Sequence, residues 1–141
     1  MLGIMITPIS LITARNCGEL RYAVVYETTG AISRLLEKFG LTTDESLLIE
    51  YDRDTALEIL SSLLWKDMAY GHECMPRHEA VLLAEEILSE YEQTDCRYFS
   101  NGNFAQGESW NPLTESTFDS GLIIINPSGN IHLCIWFQDE D

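Results

Sequence analysis

A chain of 141 residues with 23 acidic and 8 basic side chains carries a formal charge of −15, and 45% of it is hydrophobic. Such charge repels nucleic acid and anionic lipid and speeds encounter with a basic protein. The apolar content excludes a disordered acidic tail, and the length suits one domain, residues 1–141, with its own core. The charge is also lopsided: residues 78–141 hold twelve acids and one base, Arg97, and so contribute −11, against −4 from residues 1–77.

The apolar start, residues 1–14, is interrupted by Gly3, Thr7, Pro8 and Ser10 and lacks basic residues before Arg15. It reads neither as a signal peptide nor as a span, which needs about 18 apolar residues, so the expected compartment is the cytoplasm. Cys17, Cys74, Cys96 and Cys134 form no C-x-x-C pair and read as reduced, mostly buried thiols. Thr7-Pro8 looks like a helix start, with Thr as N-cap and Pro at the first helical position, and Gly18 could end that helix.

Residues 19–39 carry two signals. Residues 21–26 have strand composition, yet Tyr22, Val25, Tyr26, Thr29, Ile32, Leu36 and Phe39 recur at helical spacing before a capping Gly40. The reading favours helix. A second helix starts from Thr55 and Glu58, spaced as a capping box, lines Leu57, Leu60, Leu64 and Met68 on one face, and ends at Gly71. Another follows Pro76, with Ala80, Ala84, Ile87, Leu88 and Tyr91 inward and Glu79, Glu86 and Glu90 outward.

After Asp95 the pattern changes. Residues 96–100 read as a short strand. Residues 101–118 form a long loop rich in Asn, Gly, Ser and Thr that holds Phe104, Trp110 and Phe118. Residues 121–125 and 131–137 flank the turn formers at 126–130 as a β-hairpin. Ile131, Leu133, Ile135 and Phe137 share one face; His132, Cys134 and Trp136 share the other. A strand apolar on both faces lies inside a covered sheet. The expected fold class is α+β, a helical N-terminal half packed against a small C-terminal antiparallel β-sheet.

Catalytic and metal signatures are poor. His72, Glu73, Cys74 and His78 have metal-ligand types but not a zinc spacing, and read as a loop with incidental His and Cys. No G-x-S-x-G, P-loop, G-x-G-x-x-G or H-E-x-x-H occurs, and His132 with Cys134 read as a core pair without substrate access. No catalytic residue, metal or cofactor is expected. The long loop is the strongest functional pointer, because loops beyond about 12–15 residues without structure of their own are usually functional or disordered; its aromatics fit a recognition surface and an ordered loop pinned to the core equally well. Within it Trp110 is flanked by Glu108, Asn111 and Glu115, an apolar centre with a polar rim. The tail from Trp136 to Asp139, Glu140 and Asp141 joins an apolar strand end to carboxylates.

The stretches 67–71 with Glu73, Met75 and Pro76, then 97–102, 110–114, 117–121 and 136–141, resemble bacterial immunity proteins of polymorphic-toxin and contact-dependent growth-inhibition systems. That resemblance covers residues 55–141. It implies a non-enzymatic cytoplasmic protein that binds and neutralises the C-terminal domain of a cognate toxin, a basic nuclease such as an RNase or tRNase. Charge argues the same way, since nuclease surfaces are basic. The expected partner-binding residues are Glu79, Glu86, Glu90, Glu108, Trp110, Glu115, Asp119, Asp139, Glu140 and Asp141. Three other readings compete: a secretion chaperone for an exported effector, an acidic DNA mimic, and an acid–base enzyme with paired carboxylates in an apolar pocket.

Overall fold

The structure, a computed structural model, describes residues 15, 19–26, 31–90, 96–106, 113–114, 118–126 and 131–139. In chain order these form strand β1 (Glu19–Tyr26), helix α1 (Ile32–Phe39), strand β2 (Ile49–Tyr51), helices α2 (Arg53–Trp65) and α3 (Arg77–Glu90), and strands β3 (Arg97–Ser100), β4 (Phe118–Ile125) and β5 (Ile131–Asp139). Single 3₁₀ turns lie at Glu45–Leu47 and Phe104–Gln106.

The strands form one antiparallel sheet in the order β1-β5-β4-β3-β2. Its most apolar strands, β4 and β5, are the hairpin expected from sequence, extended at their ends, and they lie beside each other inside the sheet. Alternation sends Leu122, Ile124, Leu133, Ile135 and Phe137 to one face, where α2 and α3 cover them. It sends Ile123, Ile125, Cys134 and Trp136 to the other, under Leu35, Leu36 and Phe39 of α1. The α+β class therefore holds, as three layers with helices on both sides of the sheet. Gly121 permits the closest approach: a Cβ there would collide with the Ile135 carbonyl and meet Trp136 Cε3 at 2.7 Å.

Four local expectations change. Residues 19–26 are strand, not helix, and pair along their whole length with β5, Glu19 opposite Gln138 and Tyr26 opposite Ile131. The helical spacing is real only from Ile32 onward. Gly40 closes α1 at φ 75°, with the Leu41 amide donating to the Leu36 carbonyl at 2.9 Å in a Schellman arrangement. The α2 cap is Asp52, which accepts from the Thr55 amide at 2.8 Å; Thr55 sits inside the first turn, so no Thr55–Glu58 box forms. The helix also stops at Trp65, before Gly71. Cys74 is disulfide-bonded rather than reduced, whereas Cys96 and Cys134 are reduced thiols outside any disulfide. The helix at Thr7-Pro8, Cys17 and Tyr91 lie outside the described residues. Among the described residues no helix is long and apolar enough to cross a membrane.

Candidate functional site

Surface charge is set by which groups find partners. Arg97, the one base of the second half, is engaged by Glu50 across β2 and β3, with Nη2–Oε1 2.7 Å and Nε–Oε2 3.0 Å. That contact holds the Glu50 carboxyl below its usual range and raises the guanidinium. Arg53, at the start of α2, donates to Glu85, near the end of α3, at 3.0 Å. At the opposite ends of the two helices, the Arg77 guanidinium lies 5.0 Å from the Trp65 ring centroid. The helices therefore run antiparallel. Lys66 Nζ lies 4.0 Å from the same ring, and the indole N–H donates to Glu73 at 3.3 Å. Cation–π contact of this kind fixes a half-exposed Trp without burying it.

Between the helices runs an open groove of about 200 Å³. Leu57, Ser61 and Trp65 of α2 form one wall, and Val81 with Arg77 of α3 the other. Asp54 and Glu58 close one end, and Glu58 is held there by Gln106 Nε2 at 2.6 Å. Ser61 is 9% exposed, and its hydroxyl has no hydrogen-bond partner among the described residues. On the crest of α3 beside the groove, Val81 and Leu82 remain 40% and 61% exposed. Helical spacing puts Leu82 three residues after Glu79 and four before Glu86, so carboxylates border an uncovered aliphatic pair.

The expected partner residues divide into three groups. Glu79, Glu86 and Glu90 are exposed on α3, as the periodicity implied. Glu108, Trp110, Glu115, Glu140 and Asp141 lie outside the described residues. Asp119 and Asp139 are corrections: they are 0% and 2% exposed and serve the interior. Asp119 accepts from the Leu113 amide at 2.9 Å, the Thr114 amide at 3.0 Å, the Thr114 hydroxyl at 2.7 Å and the Trp136 indole at 3.0 Å. It thereby fixes the end of the long loop onto the sheet. Asn101 reinforces that end, donating to the Asp119 carbonyl at 2.8 Å and accepting from Ser120 at 2.7 Å. Phe104 packs against the core from the loop's start.

Asp139 makes a two-pronged pair with the buried Arg15, at 2.9 and 2.7 Å, and accepts from the Met68 amide at 2.8 Å. Arg15 also donates to the Leu63 carbonyl at 2.7 Å and stacks 4.6 Å from the Phe137 centroid. Leu63 is in the last turn of α2, so a cation caps that helix end and Asp139 neutralises it.

The loop from Asp67 to Met75 presents an exposed Tyr70 stacked on His72, with centroids 5.6 Å apart. Asp67 organises it, accepting from the Tyr70 amide at 2.6 Å and the His72 amide at 3.1 Å. Desolvation pushes this carboxyl up, but the Tyr70 and His72 amides, the nearby His72 ring and the Gly71 amide outweigh it and leave it below its usual range. Among the described residues no three His, Cys, Asp or Glu side chains come together as metal ligands. His132 is buried and accepts at Nδ1 from the Asn126 amide at 3.1 Å, a structural role at the hairpin turn.

Sequence reasoning missed the groove. Its signal was present in the run Val81-Leu82-Leu83: Ala80, Ala84, Ile87 and Leu88 already fill one helix face, so adjacent apolar residues exceed what that face can bury. No protein-family model, no curated protein and no solved structure matches the chain.

Proposed function

We propose that this protein is a non-enzymatic immunity protein that binds and neutralises the C-terminal domain of a cognate bacterial toxin, a basic nuclease with an RNase or tRNase as the first candidate, in the cytoplasm. The observation that carries the reading is the exposed acidic surface of α3, where Glu79, Glu86 and Glu90 stand beside uncovered Val81 and Leu82. Carboxylates of that kind steer a basic partner, and apolar anchors supply affinity once water is excluded. The sequence resemblance supplies the toxin class.

The test is co-expression with the C-terminal domain of the protein that the gene immediately upstream encodes. Growth should be arrested by the toxin alone and restored by this chain, with a stable complex recovered from the purified pair. An unrestored arrest, or two proteins that do not associate, rejects the reading.

A further inference from the structure

We infer that the α2/α3 groove receives one segment of a partner protein, bearing an aliphatic anchor with Lys or Arg on one side of it and no cation on the other. This rests on the immunity reading only for the identity of the partner; the surface argument stands on the groove itself.

Two observations fix the occupant. First, Leu57, Trp65 and Val81 give the groove an apolar middle that continues onto Leu82, and the fold leaves Val81 and Leu82 uncovered although α3 has a filled inward face. Second, the ends differ in charge. Asp54 and Glu58 stand at the α2 N-terminal end, and Glu85 lies opposite with Arg53 as its partner. At the other end Arg77 and Lys66 sit on Trp65, whose indole N–H donates to Glu73, so two cations face one carboxylate there. Three carboxylates face one cation, Arg53, at the first end, so a basic stretch is favoured over the first end relative to the second and the occupant has a direction. A second copy of this chain is a poor occupant, because two surfaces of this acidity repel.

The probe is a short fluorescein-labelled peptide with lysines in its first half, two adjacent leucines at its centre and uncharged polar residues after them. Fluorescence anisotropy is measured against the full chain. Wild type should bind saturably, and weaken steadily with salt. Leu82→Ser, which removes an exposed anchor, should weaken binding by about tenfold or more. The Asp54→Lys/Glu58→Lys pair should do the same. Reversal of Glu37 and Glu45, exposed acids outside α2 and α3, should leave binding unchanged. A peptide with lysines on both sides of the leucines should bind no more tightly than the one-sided peptide; clearly tighter binding overturns the asymmetry.

The inference is overturned if wild type does not bind, if Leu82→Ser binds like wild type, or if the Glu37 and Glu45 reversal weakens binding as much as the groove variants. The two proposals fail separately. Neutralisation of the neighbouring toxin without peptide binding, and undiminished by Leu82→Ser, rejects the groove and keeps the immunity reading. Groove-dependent peptide binding without neutralisation does the reverse.

Discussion

Replacing Asp139 by Asn tests whether this carboxylate belongs to the interior or to a partner surface. The wild-type group accepts three hydrogen bonds, two from Arg15 and one from the Met68 amide, at 2.7–2.9 Å. Asn keeps one acceptor oxygen but turns an N–H₂ toward a guanidinium that only donates, and it removes the charge that balances a cation 1% exposed. Breaking a buried pair by removing one partner costs about 3–5 kcal/mol. For a domain of this length that is a fall in melting temperature of roughly 10–15 °C. Urea unfolding at neutral pH, followed by tryptophan fluorescence, gives the free energy. Affinity for the partner, measured well below the transition, should stay within about twofold, since a change under 0.5 kcal/mol is of that size. The double variant Arg15→Met/Asp139→Leu should recover most of the loss, less about 1–3 kcal/mol for the Leu63 carbonyl left without its cap. A single-variant loss below about 1 kcal/mol, or a large drop in affinity with unchanged stability, refutes the reasoning and returns Asp139 to the partner surface.

Asp119→Ala should orphan the Leu113 amide and the Trp136 indole and cost about 2–5 kcal/mol, with amide exchange at Leu113 and Thr114 rising first; unaltered exchange there defeats the assignment. Gly121→Ala should fail to give a native hairpin, because its Cβ would meet the Ile135 carbonyl and the Trp136 ring; a cooperative unfolding transition at wild-type denaturant concentration contradicts this. Asp67 has a lowered folded value, so its stabilisation is complete above the ordinary Asp value of about 3.9 and is lost as pH falls through the lower folded value. Asp67→Asn should therefore be less stable than wild type at neutral pH, with the gap closing toward strong acid; a pH-independent gap points to geometry alone.

How legible each feature was depends on how far away its cause lies. The β4/β5 hairpin was visible because its turn formers and its two apolar faces are local properties of residues 118–139. The inward face of α3 was equally local. Strand β1 was misread because the helical spacing of Tyr22 to Phe39 is local, whereas the ladder that wins is with β5 at the far end of the chain. The α2 cap was misplaced by three residues because Thr55 and Asp52 both suit an N-cap, and β2 pairing with β3 decides where the extended chain ends.

The site was partly legible for the same reason. Glu79, Glu86 and Glu90 follow from the pitch of one helix. The burial of Asp119 and Asp139 does not, since a carboxylate enters a core only where donors await it, and those donors come from Arg15, Met68, Leu113, Thr114 and Trp136. A count of acids near the C-terminus treats all of them as surface charge, and so overstates the C-terminal patch. The groove is a property of two helices together. Asp54, Ser61 and Trp65 become one wall only when α3 lies antiparallel beside them.

This division of labour among carboxylates bears on where a partner can act. Arg15, Arg53 and Arg97 are each engaged by an acid, and Lys66 and Arg77 by Trp65. Those bases are thus neutralised or anchored, while Glu79, Glu86 and Glu90 on α3 remain exposed. Exposed acidic charge therefore lies on the same helix that leaves Val81 and Leu82 uncovered. Acidity serving solubility alone has no need of that coincidence, because apolar side chains at the crest oppose it. A partner site needs both, carboxylates to draw a basic surface in and aliphatic groups to hold it once water has left. Reversing Glu79, Glu86 and Glu90 together should consequently slow association and flatten its salt dependence, while Leu82→Ser should mainly speed dissociation. Stopped-flow and dissociation measurements on the purified complex separate the two effects. Equal changes in both rates for both variants would show that charge and anchor do not divide the work in this way.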